Sequence, residues 1–213
     1  MSFDIICFDC DSTLSSIEGI DELASRVGLG EQMAALTNAA MNGEVALEEV
    51  YERRLSLIKP DKKAIDWLAD LYIETMVDGV DEVFKILLDQ NRQVHIISGG
   101  IRQAILPMAN RLGLSDNHVH AVDVIFDYHG GYQGFDTHSP LARTGGKAEI
   151  CSKLKNGASK LAMIGDGQTD LESKQAGAFF VGFGGVAERQ AVRQNADYYV
   201  TDKSLTGILK FVC

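Results

Sequence analysis

Two kinds of hydrophobic pattern divide the chain. Short apolar runs at 5–8, 94–97, 161–164, 179–181 and 198–200 are rich in β-branched and aromatic residues and end at polar residues or glycine. Such runs predict buried strands. Between the first two, no strand pattern occurs. Ile17, Ile20, Leu23, Ala24 and Val27 recur at helical spacing until Gly28 and Gly30. A second helix is predicted over 31–42, closing on Gly43, and a third over 46–58, stopping before Pro60. Asp61 caps a fourth, which carries Ile65, Leu68 and Leu71.

From residue 77 helices and strands alternate. Val80, Val83, Phe84, Leu87 and Leu88 form one apolar stripe. The helix after strand 94–97 contains Pro107, which removes a backbone donor and predicts a kink. Segments 122–126 and 128–132 read as a β-hairpin with a glycine turn. Helices over 147–154, 171–175 and 187–195 and a short C-terminal helix complete the pattern. The alternation predicts an α/β fold, a Rossmann-like, mostly parallel sheet flanked by helices. A small helical cap, 15–75, is inserted after the first strand, residues 1–14 and 76–213 form the core, and the hairpin forms a flap.

Composition narrows the partners. The 213 residues carry a net charge of −10, which argues against a nucleic-acid footprint. No apolar run approaches membrane-spanning length, and the opening Met-Ser-Phe-Asp lacks a signal-peptide pattern. A cytoplasmic protein is expected. Cys7, Cys10, Cys151 and Cys213 suggest no disulfide framework. Cys7 and Cys10 form a C-x-x-C, but Cys7 lies in a strand with Asp9 between the pair, so the motif reads as coincidence. His118 and His120 alternate without a third ligand spaced nearby, His95 reads as core, and His129 and His138 read as exposed loop residues.

The chemistry gathers where apolar strands end. Asp9-Cys10-Asp11-Ser12-Thr13 closes the first run with two carboxylates, expensive to desolvate unless a cation or a reaction needs them. Ligands of open α/β sheets collect beyond the carboxyl ends of strands, which points to a metal-dependent site with Asp9 as nucleophile. Ser98-Gly99-Gly100 offers a hydroxyl and glycine amides for an anion. Gly145-Gly146-Lys147 places a cation at a helix start, without the spacing of a P-loop. Gly165-Asp166-Gly167-Gln168-Thr169-Asp170 ends another apolar strand in framed carboxylates. Arg54 falls in the middle of the stripe of Leu47, Val50, Tyr51 and Ile58, where a guanidinium wants a bidentate anion or an internal ion pair.

Asp9-x-Asp11-Ser-Thr, Ser98, Lys147 and Gly165-Asp166-Gly167-x-x-Asp170 match, in order and spacing, the four motifs of the haloacid-dehalogenase-like phosphatases. Glu18-Gly-Ile-Asp-Glu-Leu-Ala24, Arg54-Leu-Ser-Leu-Ile58, Tyr132-Gln-Gly-Phe-Asp136 and Gly182-Phe-Gly-Gly185 resemble the phosphoserine phosphatase subfamily. The resemblance implies Mg²⁺ held by Asp9, Asp166 and the backbone carbonyl of Asp11, with Asp11 as general acid and base. It implies that Ser98, Gly99, Gly100 and Lys147 bind phosphate and that Asp170 supports Lys147 or the metal. Glu18 matches the position that binds the substrate ammonium, although periodicity sets it opposite the apolar stripe of its helix. Glu18, Met41, Arg54 and Thr169 would then read a small phosphorylated amino acid, O-phospho-L-serine, in a monomer or homodimer. Leu47 and Ile101 stand where the subfamily often has phenylalanine. The alternatives are a phosphatase or phosphotransferase for another small phosphomonoester, and a non-enzymatic phospho-acceptor module.

Overall fold

In a computed structural model, residues 3–42, 44–155, 157 and 159–213 are described. The chain forms β1 (Ile5–Phe8), α1 (Gly19–Arg26), α2 (Gly30–Met41), α3 (Leu47–Ile58), α4 (Lys62–Glu74), α5 (Val80–Asp89), β2 (Gln93–Ile101), α6 (Arg102–Arg111) and β3 (Val119–Val122). There follow β4 (Val124–Phe126), β5 (Tyr132–Phe135), α7 (Gly146–Leu154), β6 (Leu161–Gly165), α8 (Gln168–Leu171), β7 (Phe179–Phe183), α9 (Gln190–Asn195), β8 (Tyr198–Val200) and α10 (Leu209–Val212).

Six strands pair in the order β3-β2-β1-β6-β7-β8, every pair parallel. All four β1 residues are buried, as expected of a strand covered on both faces. The chain first builds outward from β1 to β2 and β3, then crosses back to place β6 on the other side of β1. That reversal opens a crevice at the carboxyl ends of β1 and β6, because the connections leave in opposite directions. Phe8 pairs with both Ile96 and Ile164; β1 ends there and β6 at Gly165, whereas β2 runs past Ile97 to Ile101, so Ser98, Gly99 and Gly100 are strand residues and not the start of a helix.

Helices α1 to α4 form one excursion between β1 and α5. Its two ends meet at an antiparallel bridge between Ser15 and Met76, with Ser16 N–H donating to Thr75 O and Val77 N–H to Leu14 O. Asp61 caps α4 by accepting from Ala64 N at 2.8 Å. α2 ends at Met41, and Gly43 lies outside the described residues. The excursion folds back over the sheet edge. Tyr51 of α3 donates to Gly99 O at 2.9 Å and packs against Phe135 of the hairpin, and Lys62 N–H donates to Gly130 O.

Several boundaries differ from the sequence reading, each for a local reason. Residues 119–122 form a sixth sheet strand, β3, hidden because its run is short and interrupted by His120. The hairpin arms are therefore β4 and β5. Residues 128–131 are turn, because Asp127 Oδ1 accepts from His129 N and Gly131 N, both at 2.8 Å. α6 runs through Pro107 to Arg111. The segment read as one helix over 171–175 is α8 followed by a 3₁₀ turn over Glu172–Ala176. α9 starts at Gln190 because the preceding residues stay extended, turning Arg189 inward.

His95 of β2, His120 of β3 and His118 just before β3 gather together. His95 Nδ1 lies 3.2 Å from His120 Nε2, and the His118 ring centroid is 4.8 Å from that of His95. His129 and His138 are exposed loop residues. Burial and the neighbouring His120 and His118 push His95 down to about 4, and His120 is lowered too. An unfolded histidine titrates near 6.5, so the native state excludes protons that the unfolded chain binds. This contribution to stability is full above about pH 6.5 and is lost as pH falls toward about 4. Buried carboxylates at the sheet edge titrate with the opposite sign, so the test is a difference between proteins. The fall in Tm between about pH 7.5 and about pH 5 should be smaller for His95→Gln than for the parent, both in chelator. Equal falls would remove the imidazoles from the account.

Candidate active site

The carboxyl edge of β1, β2 and β6 brings the sequence-predicted residues together. After β1 the backbone winds tightly, with Thr13, Leu14 and Ser15 N–H all directed at Cys10 O, and Ser12 held at φ 52°. The turn aims Asp9 and Asp11 into one cavity. It consumes the Cys10 carbonyl and leaves the Asp11 carbonyl without a main-chain donor among the described residues. Asp9 Oδ1 accepts from its neighbour's amide, Cys10 N, at 2.7 Å and faces Lys147 Nζ at 2.8 Å. The Cys7 thiol meets Cys151 of α7 instead of Cys10, and burial pushes it up.

The loop after β6 explains its glycines. Asp170 folds back so that Oδ2 accepts from Gly167 N at 3.0 Å while Oδ1 holds Lys147 Nζ at 2.6 Å. A Cβ on Gly165 would lie 2.2 Å from the Asp170 carboxyl carbon, so only glycine allows that fold-back. Carboxylate oxygens of Asp9, Asp166 and Asp170 lie within 4.8 Å of one another. All three residues are buried.

Burial and then the Asp9 charge push Asp11 and Asp166 up to about 6. Burial works against the Lys147 ammonium, but Asp170 and Asp9 hold it above the usual lysine range. The edge therefore carries more anionic than cationic charge. Hard oxygen donors in that state fit a small divalent cation.

Ser98, Gly99, Gly100, Lys147 and Thr169 line the same cavity. Ser98 is fully buried, and its Oγ accepts from Gly100 N at 2.9 Å, which leaves its own proton to donate. Opposite stand Glu18, Met41, Leu47 and Arg54 of the helical excursion. Glu18 turns inward because it precedes α1 in extended backbone, so helical periodicity does not apply to it. Its Oε1 accepts from Ser12 Oγ at 2.8 Å.

Arg54 carries two expectations, an anion or an internal ion pair. It is 4% exposed, yet among the described residues it makes no carboxylate ion pair. Its Nη1 donates to Thr37 Oγ1 at 3.1 Å, Thr37 donates onward to Asp21, and its Nε is buried without a partner. Burial pulls its guanidinium down. A buried, under-partnered guanidinium facing a cavity suits an anion.

A family model described as haloacid dehalogenase-like hydrolase matches residues 3–177. The chain belongs to that family. Among haloacid dehalogenase-like relatives, phosphoserine phosphatase of Drosophila melanogaster is 40% identical over 201 residues, covering 93% of this chain and 74% of its own. That of Homo sapiens is 38% identical over 203 residues, covering 94% and 90%. Among solved structures, a substrate-bound phosphoserine phosphatase complex matches the whole of both chains with a TM-score of 0.83 at 25% identity. A phospho-aspartyl intermediate analogue of phosphoserine phosphatase matches equally completely, at 0.81 and 26%.

Two residues at the site escaped the sequence reading. Arg189 Nε donates to Asp166 Oδ2 at 2.9 Å, and its Nη2 lies 3.6 Å from Glu18. Tyr72 donates to Asp11 Oδ1 at 2.7 Å. Arg189 precedes a helix in a polar stretch and carried no signal. Tyr72 follows the predicted stripe of Ile65, Leu68 and Leu71 and is buried with Ile65 and Leu68, so nothing in the pattern marks it out. Removing Arg189 leaves a buried carboxylate uncompensated, so Arg189→Met should lose about 3–5 kcal/mol of stability in chelator. A cation bound at the cluster would replace the lost charge, so Mg²⁺ should raise the Tm of Arg189→Met more than that of the parent. Equal rises would show that guanidinium and cation do not share these carboxylates.

Proposed function

We propose that the chain hydrolyses O-phospho-L-serine to L-serine and phosphate through an aspartyl-phosphate, in the step that completes serine biosynthesis. The observation that carries this reading is Arg54. It is a buried guanidinium lacking an anion, in the same cavity as the paired carboxylates Asp9 and Asp11. A phosphomonoester that also bears a carboxylate satisfies both ends, and Glu18 supplies an acceptor for its ammonium. The names of the relatives support the same substrate. Free cysteines among the described residues suit a reducing, cytoplasmic setting.

The residues divide the work. A bound Mg²⁺, held by Asp9, Asp166 and the Asp11 carbonyl, would offset the charge of phosphate against carboxylate. The Ser98 hydroxyl, the amides near Gly99 and Gly100, and the Lys147 ammonium bind the phosphate oxygens and stabilise charge as it develops. Asp170 keeps Lys147 aimed at Asp9, and Met41 and Thr169 close the cavity around the substrate. Asp9 Oδ2 accepts no hydrogen bond among the described residues and is the oxygen that attacks phosphorus. As that bond forms, the bond from phosphorus to the serine oxygen breaks, and Asp11 gives its proton to that oxygen. Water then attacks the phosphorus of the acyl phosphate, its proton passes to Asp11, and Asp9 and phosphate separate. Burial and the Asp9 charge push Asp11 up to about 6, the direction that suits an acid.

The test is phosphate release from O-phospho-L-serine with Mg²⁺. Asp9→Asn should abolish it. Arg54→Ala should raise KM for phosphoserine by roughly a hundredfold, as expected for a lost buried charge-assisted contact, and leave KM for O-phosphoethanolamine nearly unchanged. Equal effects on the two esters would remove Arg54 from carboxylate recognition. Full activity of Asp9→Asn would overturn the mechanism.

A further inference from the structure

Tyr72 belongs to α4, in the helical excursion, yet its phenol is fully buried and reaches the first strand's loop. Its Oη donates to Asp11 Oδ1 at 2.7 Å, and Gly19 N–H donates to that same oxygen, also at 2.7 Å. The space for this contact is reserved. A Cβ on Gly19 would fall 2.1 Å from the Tyr72 Oη, so the phenol fits only beside a glycine. Asp11 Oδ2 points the other way, toward Gly100, where an added Cβ would lie 2.9 Å from it. Among the described residues it takes no hydrogen bond. Burial pushes the Tyr72 phenol well above its usual range, so it stays a neutral donor.

With two donors on Oδ1 and none on Oδ2, the two oxygens of Asp11 are no longer equivalent. We propose that Tyr72 is a positioning residue. It ties α4 to Asp11, keeps Oδ1 an acceptor, and so leaves Oδ2, the oxygen on the phosphate-binding side, to carry the transferred proton. The contact also links proton transfer to the seating of the excursion, because the donor and Asp11 lie on opposite sides of the Ser15–Met76 bridge. This rests on the reading of Asp11 as proton donor.

The experiment compares steady-state turnover of O-phospho-L-serine by the parent, Tyr72→Phe and Asp11→Asn, with Tm measured for each. Phe keeps the ring and removes only the donor. Tyr72→Phe should lower kcat between about tenfold and a hundredfold, the scale of a misplaced acid–base group, with KM within about twofold. Placing 4-aminophenylalanine at position 72 restores a weaker donor on the same ring and should recover part of the lost kcat. Unchanged kcat in Tyr72→Phe, beside an inactive Asp11→Asn, would overturn the tether alone. A rise in KM with kcat preserved would show that the phenol merely packs the excursion and would also overturn it. Full turnover by Asp11→Asn, or none by the parent, would remove the proton-transfer reading itself and the tether with it. Should Tyr72→Phe not fold, 4-fluorophenylalanine at position 72, which fills the para position without a donor, serves in its place. Reduced kcat at constant KM supports the proposal, and parental kcat overturns it.

Discussion

The constraint on which this molecule turns is the burial of negative charge at the edge of a sheet. Asp9, Asp11, Asp166 and Asp170 converge there, and among the described residues Lys147 and Arg189 are the cations that pair with them. In water these groups would sit apart, each with its own hydration. Inside the protein each must find a donor or shift its titration. Lys147 bridges Asp9 and Asp170, and Arg189 holds Asp166. Asp11 Oδ1 takes an amide and a phenol, neither of them charged, and Oδ2 takes no donor among the described residues. The arrangement leaves anionic charge over, and that surplus makes the edge a place for cations.

The fold serves that edge by separating rigidity from recognition. β1, β2 and β6 are consecutive in the sheet, so the residues after them are fixed relative to one another by ladder hydrogen bonds. Such rigidity suits catalysis, in which reacting groups hold their geometry within fractions of an ångström. The opposite wall is helical and is attached through two short connections. Arg54 and Glu18 reach the cavity from there, on a wall that packs α4 against α6 and bonds Tyr51 to Gly99 of β2.

Most of this was legible in the residues, because short apolar runs ending in Asp9, Ser98 and Asp166 are unusual unless a sheet edge carries chemistry. Arg54 was readable from helical phase, since a charge inside an apolar stripe has few explanations. Glu18 was misread by the same tool, for it lies one residue outside the helix whose period was applied to it. β3 was lost because four residues containing a histidine show neither alternation nor a continuous apolar run. Arg189 and Tyr72 were invisible for opposite reasons. One sits in a stretch with no pattern, and the other sits where the pattern is fully explained by packing. Contacts between residues 61 apart, such as Tyr72 with Asp11, arise only when two elements meet in space.

The stapled neck at Ser15 and Met76 has a consequence for how such a chain can change over time. About sixty residues depart from the sheet and return to nearly the same point, so the closure entropy of the excursion is met locally and depends only weakly on its length. Residues 16 to 75 are therefore a natural cassette. Length can be added or removed there while the strands stay as they are, provided the contacts that return to the edge, such as Tyr72 to Asp11, are kept.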